Sequence, residues 1–280
     1  MPSRLSTLWI VATPIGNLGD ISKRAIEVLN HVDVVACEDT RTTGNLLNIL
    51  GISKKKLVSY YDKVEKEKLD SILKILEDGK DVALVSEAGS PVISDPGFLL
   101  VRECRKRKIR VSAVPGPSAP IAALMISGIE PIPFTFLGFM PRKKGDIKAT
   151  LTPFATINTT LIFFERKSRL KHTLQVAYET LKGEREVAIV KELTKMYEDV
   201  IFFPLSKYER IEELKGEITV IISPPQKKEL RTSEPDLINM IKKEMVSNVK
   251  GKDLVERVLD ATTGWSKKEV YNLYLRIKNG

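Results

Sequence analysis

Cysteine is scarce in this chain: of 280 residues only Cys37 and Cys104 carry a thiol. Each lies in an apolar or helical-looking stretch without a paired partner nearby, which excludes a disulfide framework and the spacing of a metal site. Free buried thiols suit a reducing compartment. A long apolar run is also missing, since no stretch reaches the roughly 18 residues of a membrane span. Residues 1–7 show no signal-peptide pattern. A cytoplasmic protein is expected, neither secreted nor membrane-spanning. The spaced G-x-G-x-x-G of a dinucleotide site is absent too: the first glycine-bearing loop, ATPIGNLGD at 12–20, has Gly16 and Gly19 only.

What is present is ample for a folded chain. Hydrophobic residues make up 42% and charged residues 29%, spread along most of the length, enough for one large or two ordinary domains and unlike a disordered chain. The net charge is +9. That balance fits a polyanionic partner such as RNA, and equally a basic enzyme with a solvated surface.

The first 125 residues alternate strand-like and helix-like segments. Residues 7–12, 32–37, 81–86 and 110–114 read as buried strands. Between them Ala25, Ile26 and Leu29 share one helical face, as do Leu69, Ile72, Leu73 and Leu76. Such alternation predicts an open, mostly parallel sheet with helices on both sides. A second α/β block is expected over 126–223, with a strand from 134 leading into a loop at 139–142, strands at 159–164 and 186–191, a helix at 168–181, and paired strands at 200–204 and 217–222. The pattern breaks at PPQKK, residues 224–228, a linker into a basic segment of two or three short helices ending at 280. There Ser266 and Glu269 form a capping box, and Thr263-Gly264 is a stop for the preceding helix. A helix-turn-helix or a small helical packing module would both read this way.

In open α/β sheets, ligands collect outside the carboxyl ends of the strands. Four strand ends here carry unusual loops. In the first, Gly16 and Gly19 permit close backbone approach and Asn17 offers hydrogen bonds; a plain turn capped by Asp20 is the simpler reading. The second, CEDTRTT at 37–43, gathers Glu38, Asp39, Arg41 and three hydroxyls. A carboxylate there could orient a substrate hydroxyl and Arg41 could hold a phosphate, or Asp39 or Thr40 could simply cap a helix. The third, SEAGSPVISDPG at 86–97, is stiff and rich in small residues, which suits recognition of an adenine or amino-acid moiety through backbone groups. The fourth, VPGPSAP at 114–120, is a rigid turn that leaves Ser118 at a helix start. In the second block the charged runs 165–168 and 191–195 follow apolar strands at the ends expected to face a cleft.

Taken in order, VATPIGNLGDIS, EDTRTTGNLL, SEAGSPVISDPG, VPGPSAP, FLGFMPRK, FFERKSRL and KELTK resemble the tetrapyrrole methylase superfamily, and within it the branch that modifies ribosomal RNA. The pattern covers residues 7–222, and the tail at 250–275 is similar to that branch's C-terminal segment. The resemblance implies two α/β domains of the tetrapyrrole methylase type with S-adenosylmethionine in the cleft between them, plus a small helical C-terminal segment. It implies a homodimer working without a metal, and 2′-O-methylation of a cytidine ribose in the decoding region of 16S ribosomal RNA. By motif position, Ile15, Gly89, Ser90, Ile93, Ser118, Ala119, Glu165 and Leu193 would contact the cofactor. Many tetrapyrrole-modifying relatives have aspartate where this chain has Ser90, which speaks against a tetrapyrrole or other small-molecule substrate. Glu87 stands where many members of the RNA branch have aspartate.

A ribose hydroxyl is a weak acid, so methylating it calls for a base or a nearby cation as well as alignment. Glu38, Asp39, Lys191 and Glu192 are the catalytic candidates. Arg41, Arg142, Lys143, Lys144 and Arg166 are the candidate RNA contacts, with the basic tail (Lys242, Lys243, Lys250, Lys252, Lys267, Lys268) either joining them or forming an ordinary solvated helix face.

Overall fold

A computed structural model describes residues 6–61, 64–181, 184–211, 214–225, 232–246, 249 and 251–279. Contacts divide the chain into a large unit over 1–225 and a small one over 226–280. The residues expected as the linker at 226–228, and Lys250, lie outside the described set.

The large unit holds two five-stranded sheets. The first contains β1 (Thr7–Val11), β2 (Val34–Cys37), β3 (Lys56–Ser59), β4 (Val82–Val85) and β5 (Arg110–Val114) in the order β3-β2-β4-β1-β5. Every pairing is parallel. The inner strands VVAC and VALV are buried along their whole length, as strands covered on both faces must be. Helices α1 (Lys23–His31), α2 (Thr40–Ile49), α3 (Glu65–Glu77), α4 (Phe98–Lys106) and α5 (Ala119–Ile126) follow the strands in turn. Ser22 caps α1 by accepting from the Ala25 N–H at 3.1 Å, so Asp20 is not its cap; Asn17 instead caps a short 3-10 turn at Leu18–Asp20.

The second sheet contains β6 (Phe134–Phe139), β7 (Thr160–Glu165), β8 (Glu186–Lys191), β9 (Asp199–Pro204) and β10 (Ile218–Ile222), ordered β6-β7-β10-β8-β9. The strands expected at 200–204 and 217–222 both form, but they do not pair. Strand β9 lies antiparallel on β8 at the edge, and β10 inserts between β7 and β8. Insertion there places the most apolar strand, ITVII, in the fully buried centre. Helices α6 (Lys144–Leu151) and α7 (Leu170–Leu181) cover one face, where Leu161, Phe163, Val187, Ile189 and Val220 form the core with Leu174 and Ala177. The alternate residues, Ile162, Ala188, Val190 and Ile221, point the other way. They pack against Ile15 and against Ala123 and Leu124 of α5, which joins the two sheets into one body.

In the small unit α8 (Glu234–Val246), α9 (Lys252–Asp260) and α10 (Lys267–Asn279) bury Leu237, Ile241, Val255, Val258, Val270 and Leu273 against one another. The capping box forms: Ser266 Oγ accepts from the Glu269 N–H at 3.3 Å, and Glu269 Oε2 accepts from the Ser266 N–H at 2.8 Å. Among the described residues no helix is long and apolar enough to cross a membrane.

Candidate active site

Because β1, β2, β4 and β5 are parallel, their following loops all leave from one edge of the first sheet. Those loops are knitted together by backbone bonds. Thr13 N–H donates to Gly89 O at 2.9 Å and Gly89 N–H to Thr13 O at 3.1 Å, while Ser90 Oγ donates to Pro117 O at 3.2 Å. Gly116 lets the two loops approach closely, since a Cβ there would lie 3.0 Å from the Cβ of Ala12. In the second sheet Ile218 sits opposite both Glu165 and Lys191, so the ends of β7 and β8 and the start of β10 share one edge.

The two edges face each other across a cavity of about 620 Å³. All eight residues aligned by motif with cofactor contacts line it: Ile15, Gly89, Ser90, Ile93, Ser118, Ala119, Glu165 and Leu193. The loop after β1 meets the loop after β8 so closely that a Cβ on Gly16 would lie 2.7 Å from Lys195 Cγ and 3.0 Å from Leu193 O. Two cavity-lining loops hold non-glycine residues at positive φ: Val92 (75°) and Ser94 (71°) after β4, Glu192 (51°) and Thr194 (63°) after β8. For a β-branched residue such as Val92 this is a costly conformation, retained only where surrounding contacts over-determine it.

Glu165 is a clamp. Its side chain is fully enclosed, at 0% exposure. One carboxylate oxygen accepts from the Arg166 N–H at 2.6 Å and from the Arg169 guanidinium; the other accepts from Thr173 Oγ1. Arg169 in turn donates to the carbonyls of Met140 and Pro141, each at 3.1 Å. The carboxylate is thus committed within the protein, and it fixes the turn Arg166-Lys167-Ser168 that forms one wall of the cavity.

The four catalytic candidates separate. Glu38 lines the cavity. Asp39 caps α2, accepting from the Arg41 N–H at 2.7 Å and pairing with the Arg41 guanidinium at 3.2 Å. Those bonds, the guanidinium first, hold its carboxyl below the usual range. Lys191 pairs with Asp199 at 3.2 Å, and together with Glu192 it lines a second cavity behind the β8 loop. Glu192 accepts from the Glu217 N–H at 2.9 Å, a bond that, followed by one from Lys195, keeps its carboxyl below the usual range. A carboxylate stabilised in this way is a poorer base.

Of the candidate RNA contacts, Arg166 lines the first cavity, with Lys167 beside it. Arg41 is exposed at the start of α2. Arg142, Lys143 and Lys144 are exposed around the start of α6, where Lys144 pairs with Glu179 at 2.8 Å.

Several lining residues escaped sequence reasoning. Phe139 and Phe164 meet with their rings tilted by 54° and centroids 5.1 Å apart, and they border the cavity with Asp95, Glu217 and Thr219. The FLGFMP motif marked the neighbourhood of Phe139. Glu217 and Thr219 arrive only because β10 inserts between β7 and β8, a pairing no local pattern encodes.

A cleft closed by strand-end loops from two sheets, without the glycine fingerprint, defines a class. The family model for Tetrapyrrole (Corrin/Porphyrin) Methylases matches residues 7–209, and the chain belongs to that family of methyltransferases. Its relatives give the particular branch. A protein of Mesorhizobium japonicum named "Ribosomal RNA small subunit methyltransferase I" is 39% identical over 276 residues, 97% of this chain and 92% of its own length. Proteins of the same name from Thermotoga maritima (44% identical; 78% of this chain, 99% of that one) and Bacillus subtilis (37%; 97% and 95%) agree. Among solved structures the fold matches diphthine synthase, with TM-score 0.61 and 15% identity over 78% of this chain and 89% of that one. It also matches uroporphyrin-III-C-methyltransferase of Thermus thermophilus, with TM-score 0.54 and 17% identity over 77% and 94%.

Proposed function

We propose that the chain is a cytoplasmic S-adenosylmethionine-dependent methyltransferase that 2′-O-methylates the ribose of a cytidine in 16S ribosomal RNA. The observation that carries this reading is the single cavity lined by all eight motif-matched residues, which stand on loops from both sheets. Its volume, about 620 Å³, lies within the range of small-molecule sites. Its lining suits the donor: Ile15, Ile93, Leu193 and Ala119 offer apolar contact, the loops at 86–97 and 114–120 offer backbone amides and carbonyls, and Glu87 supplies negative charge for a cationic ligand. When bound, the donor supplies an activated methyl group on a sulfonium.

The chain's own part is alignment and proton management. Glu38, the one catalytic candidate in the cavity lining, orients the ribose 2′-hydroxyl and accepts its proton as the oxygen gains the methyl group. Arg166 and Lys167, on the turn fixed by Glu165, hold a phosphate of the same strand. Arg41, Arg142, Lys143 and Lys144 extend the basic surface to neighbouring phosphates. Alignment of this kind supplies up to roughly 7–11 kcal/mol in well-ordered systems. Asp39, Lys191 and Glu192 act from outside the cavity lining: Asp39 by holding α2, the other two by holding the β8 loop.

A second copy of the chain completes the functional unit. Helix α5 exposes Ile121, Ile126 and Met125 (80% exposed), and Ile132 and Phe134, a few residues further along the chain, are exposed too; apolar side chains of this kind suit a homodimer contact.

The test is transfer of labelled methyl from S-adenosylmethionine to small ribosomal subunits lacking the modification, with calorimetry of donor binding alongside. Transfer to a cytidine 2′-oxygen, mapped by mass spectrometry, is expected. In Glu38→Gln the single-turnover rate should fall about 10²-fold or more with donor affinity kept. A wild-type chain that binds no donor, or a Glu38→Gln variant of undiminished rate, overturns the corresponding claim.

A further inference from the structure

Behind the loop after β8 lies a second cavity, of about 1090 Å³. Gly216 lines both cavities, so they share a wall built from the start of β10 and the β8 loop. That wall is stiff. Glu192 is held at positive φ and bonded to the Glu217 N–H, and Gly216 leaves no room for a Cβ against the Glu192 side chain.

The lining combines cations with aromatic rings. Lys191 and Glu192 are occupied, by Asp199 and by the Glu217 N–H with Lys195 respectively. Lys207, Arg210 and Lys215 are different: all three are exposed, and among the described residues none has an ion pair. Around them stand Tyr197, 74% exposed, and Phe202, 47% exposed, on and beside the edge strand β9. Large exposed rings next to unpaired cations are poorly explained as packing. They match what single-stranded nucleic acid requires, flat faces for bases and positive charge for the backbone between them.

We infer that this gorge is the seat of the single-stranded RNA segment adjoining the methylated nucleotide. Tyr197 and Phe202 stack on its bases, and Lys207, Arg210 and Lys215 hold its phosphates. The inference rests on the RNA reading above and deepens it. A strand whose target sugar enters the first cavity passes over the shared wall at Gly216 and continues into the second. The rigid wall then sets the spacing between the reacting nucleotide and its stacked neighbour.

The probe is a short fluorescein-labelled single-stranded oligoribonucleotide, titrated by anisotropy over a salt series. Replacing Lys207→Ala, Arg210→Ala and Lys215→Ala together should weaken binding at least tenfold. Each lost phosphate contact removes about 0.7 from the slope of log affinity against log salt, so the slope should fall by about two. Tyr197→Leu should weaken binding roughly fivefold or more with the slope kept, and Tyr197→Trp should restore it. Donor affinity by calorimetry should be unchanged in all three. An unaltered affinity and slope in the triple variant overturns the inference. So does a fall in sedimenting mass with RNA binding intact, which would make this edge a contact between copies of the chain. Methyl transfer to small subunits is read separately. A wild-type chain without transfer whose triple variant still loses the slope removes the function and keeps the gorge; the converse removes the gorge alone.

Discussion

Glu165→Gln isolates the clamp beneath the cavity wall. The substitution keeps shape and removes charge. Three donors converge on the carboxylate: the Arg166 N–H, the Arg169 guanidinium and the Thr173 hydroxyl. An amide offers one acceptor oxygen and must turn its NH2 toward one of them. The Thr173 hydroxyl can rotate to accept; the two nitrogen donors cannot. Arg169 then keeps the Met140 and Pro141 carbonyls but loses its counter-ion, and its Nε is already buried without a partner among the described residues. Removing one member of a buried pair costs about 3–5 kcal/mol. Arg169 retains 24% side-chain exposure and two carbonyl partners, so the expectation sits at the low end, about 3 kcal/mol. For a unit of this size each kcal/mol moves the melting temperature by about 2–4 °C, giving a drop of roughly 6–12 °C by circular dichroism. Replacing both partners, Glu165→Met with Arg169→Met, should recover much of that loss, since no charge is left stranded. The same variants should bind S-adenosylmethionine more weakly, because the 166–168 turn loses its anchor. A Glu165→Gln melting point within about 2 °C of the parent, or a double variant less stable than the single, would refute this reasoning.

The glycines of the β8 wall give two more tests. Gly16→Ala places a Cβ 2.7 Å from Lys195 Cγ and 3.0 Å from the Leu193 carbonyl; the lysine can yield and the carbonyl cannot, so donor affinity by calorimetry should fall about tenfold or more with little change in melting temperature. Gly216→Ala combines a φ of 86° with a clash against the Glu192 side chain, and should cost about 2–4 kcal/mol by urea denaturation, where an unstrained glycine-to-alanine change would instead stabilise by about 0.4–1 kcal/mol. The third test is of pH. Burial pushes the Cys104 thiol up from 9.0 to about 11, so the unfolded chain loses its proton first and stability falls as pH rises from about 9 to about 11. The contribution is at most roughly 2–3 kcal/mol at about 1.4 kcal/mol per unit, and Cys104→Val should flatten that part of the stability–pH curve measured by denaturant midpoints.

How much of this was readable in the sequence depends on where the information lies. The buried strands β1, β2 and β4 were legible because a parallel strand covered on both faces is a short unbroken apolar run. Strand β3 was not, since KLVS is a four-residue edge strand that begins on an exposed lysine. The capping box at Ser266 was legible because its chemistry is contained in four residues. The cavity residues were legible as family motifs, though local chemistry could not have shown that Glu165 serves from within a closed network and not as a free carboxylate. Asp39 and Glu192 show the limit most sharply. In sequence both are acids at strand ends, equal to Glu38 as possible bases. In the fold Asp39 is consumed by the first turn of α2, and Glu192 by a strand that arrives from 25 residues further on. Only the pairing of β10 with β8 decides that, and strand pairing is a property of the whole sheet. For the same reason the basic, aromatic gorge has no motif of its own: Tyr197, Lys207 and Lys215 become neighbours only when β9 and β10 fall on either side of β8.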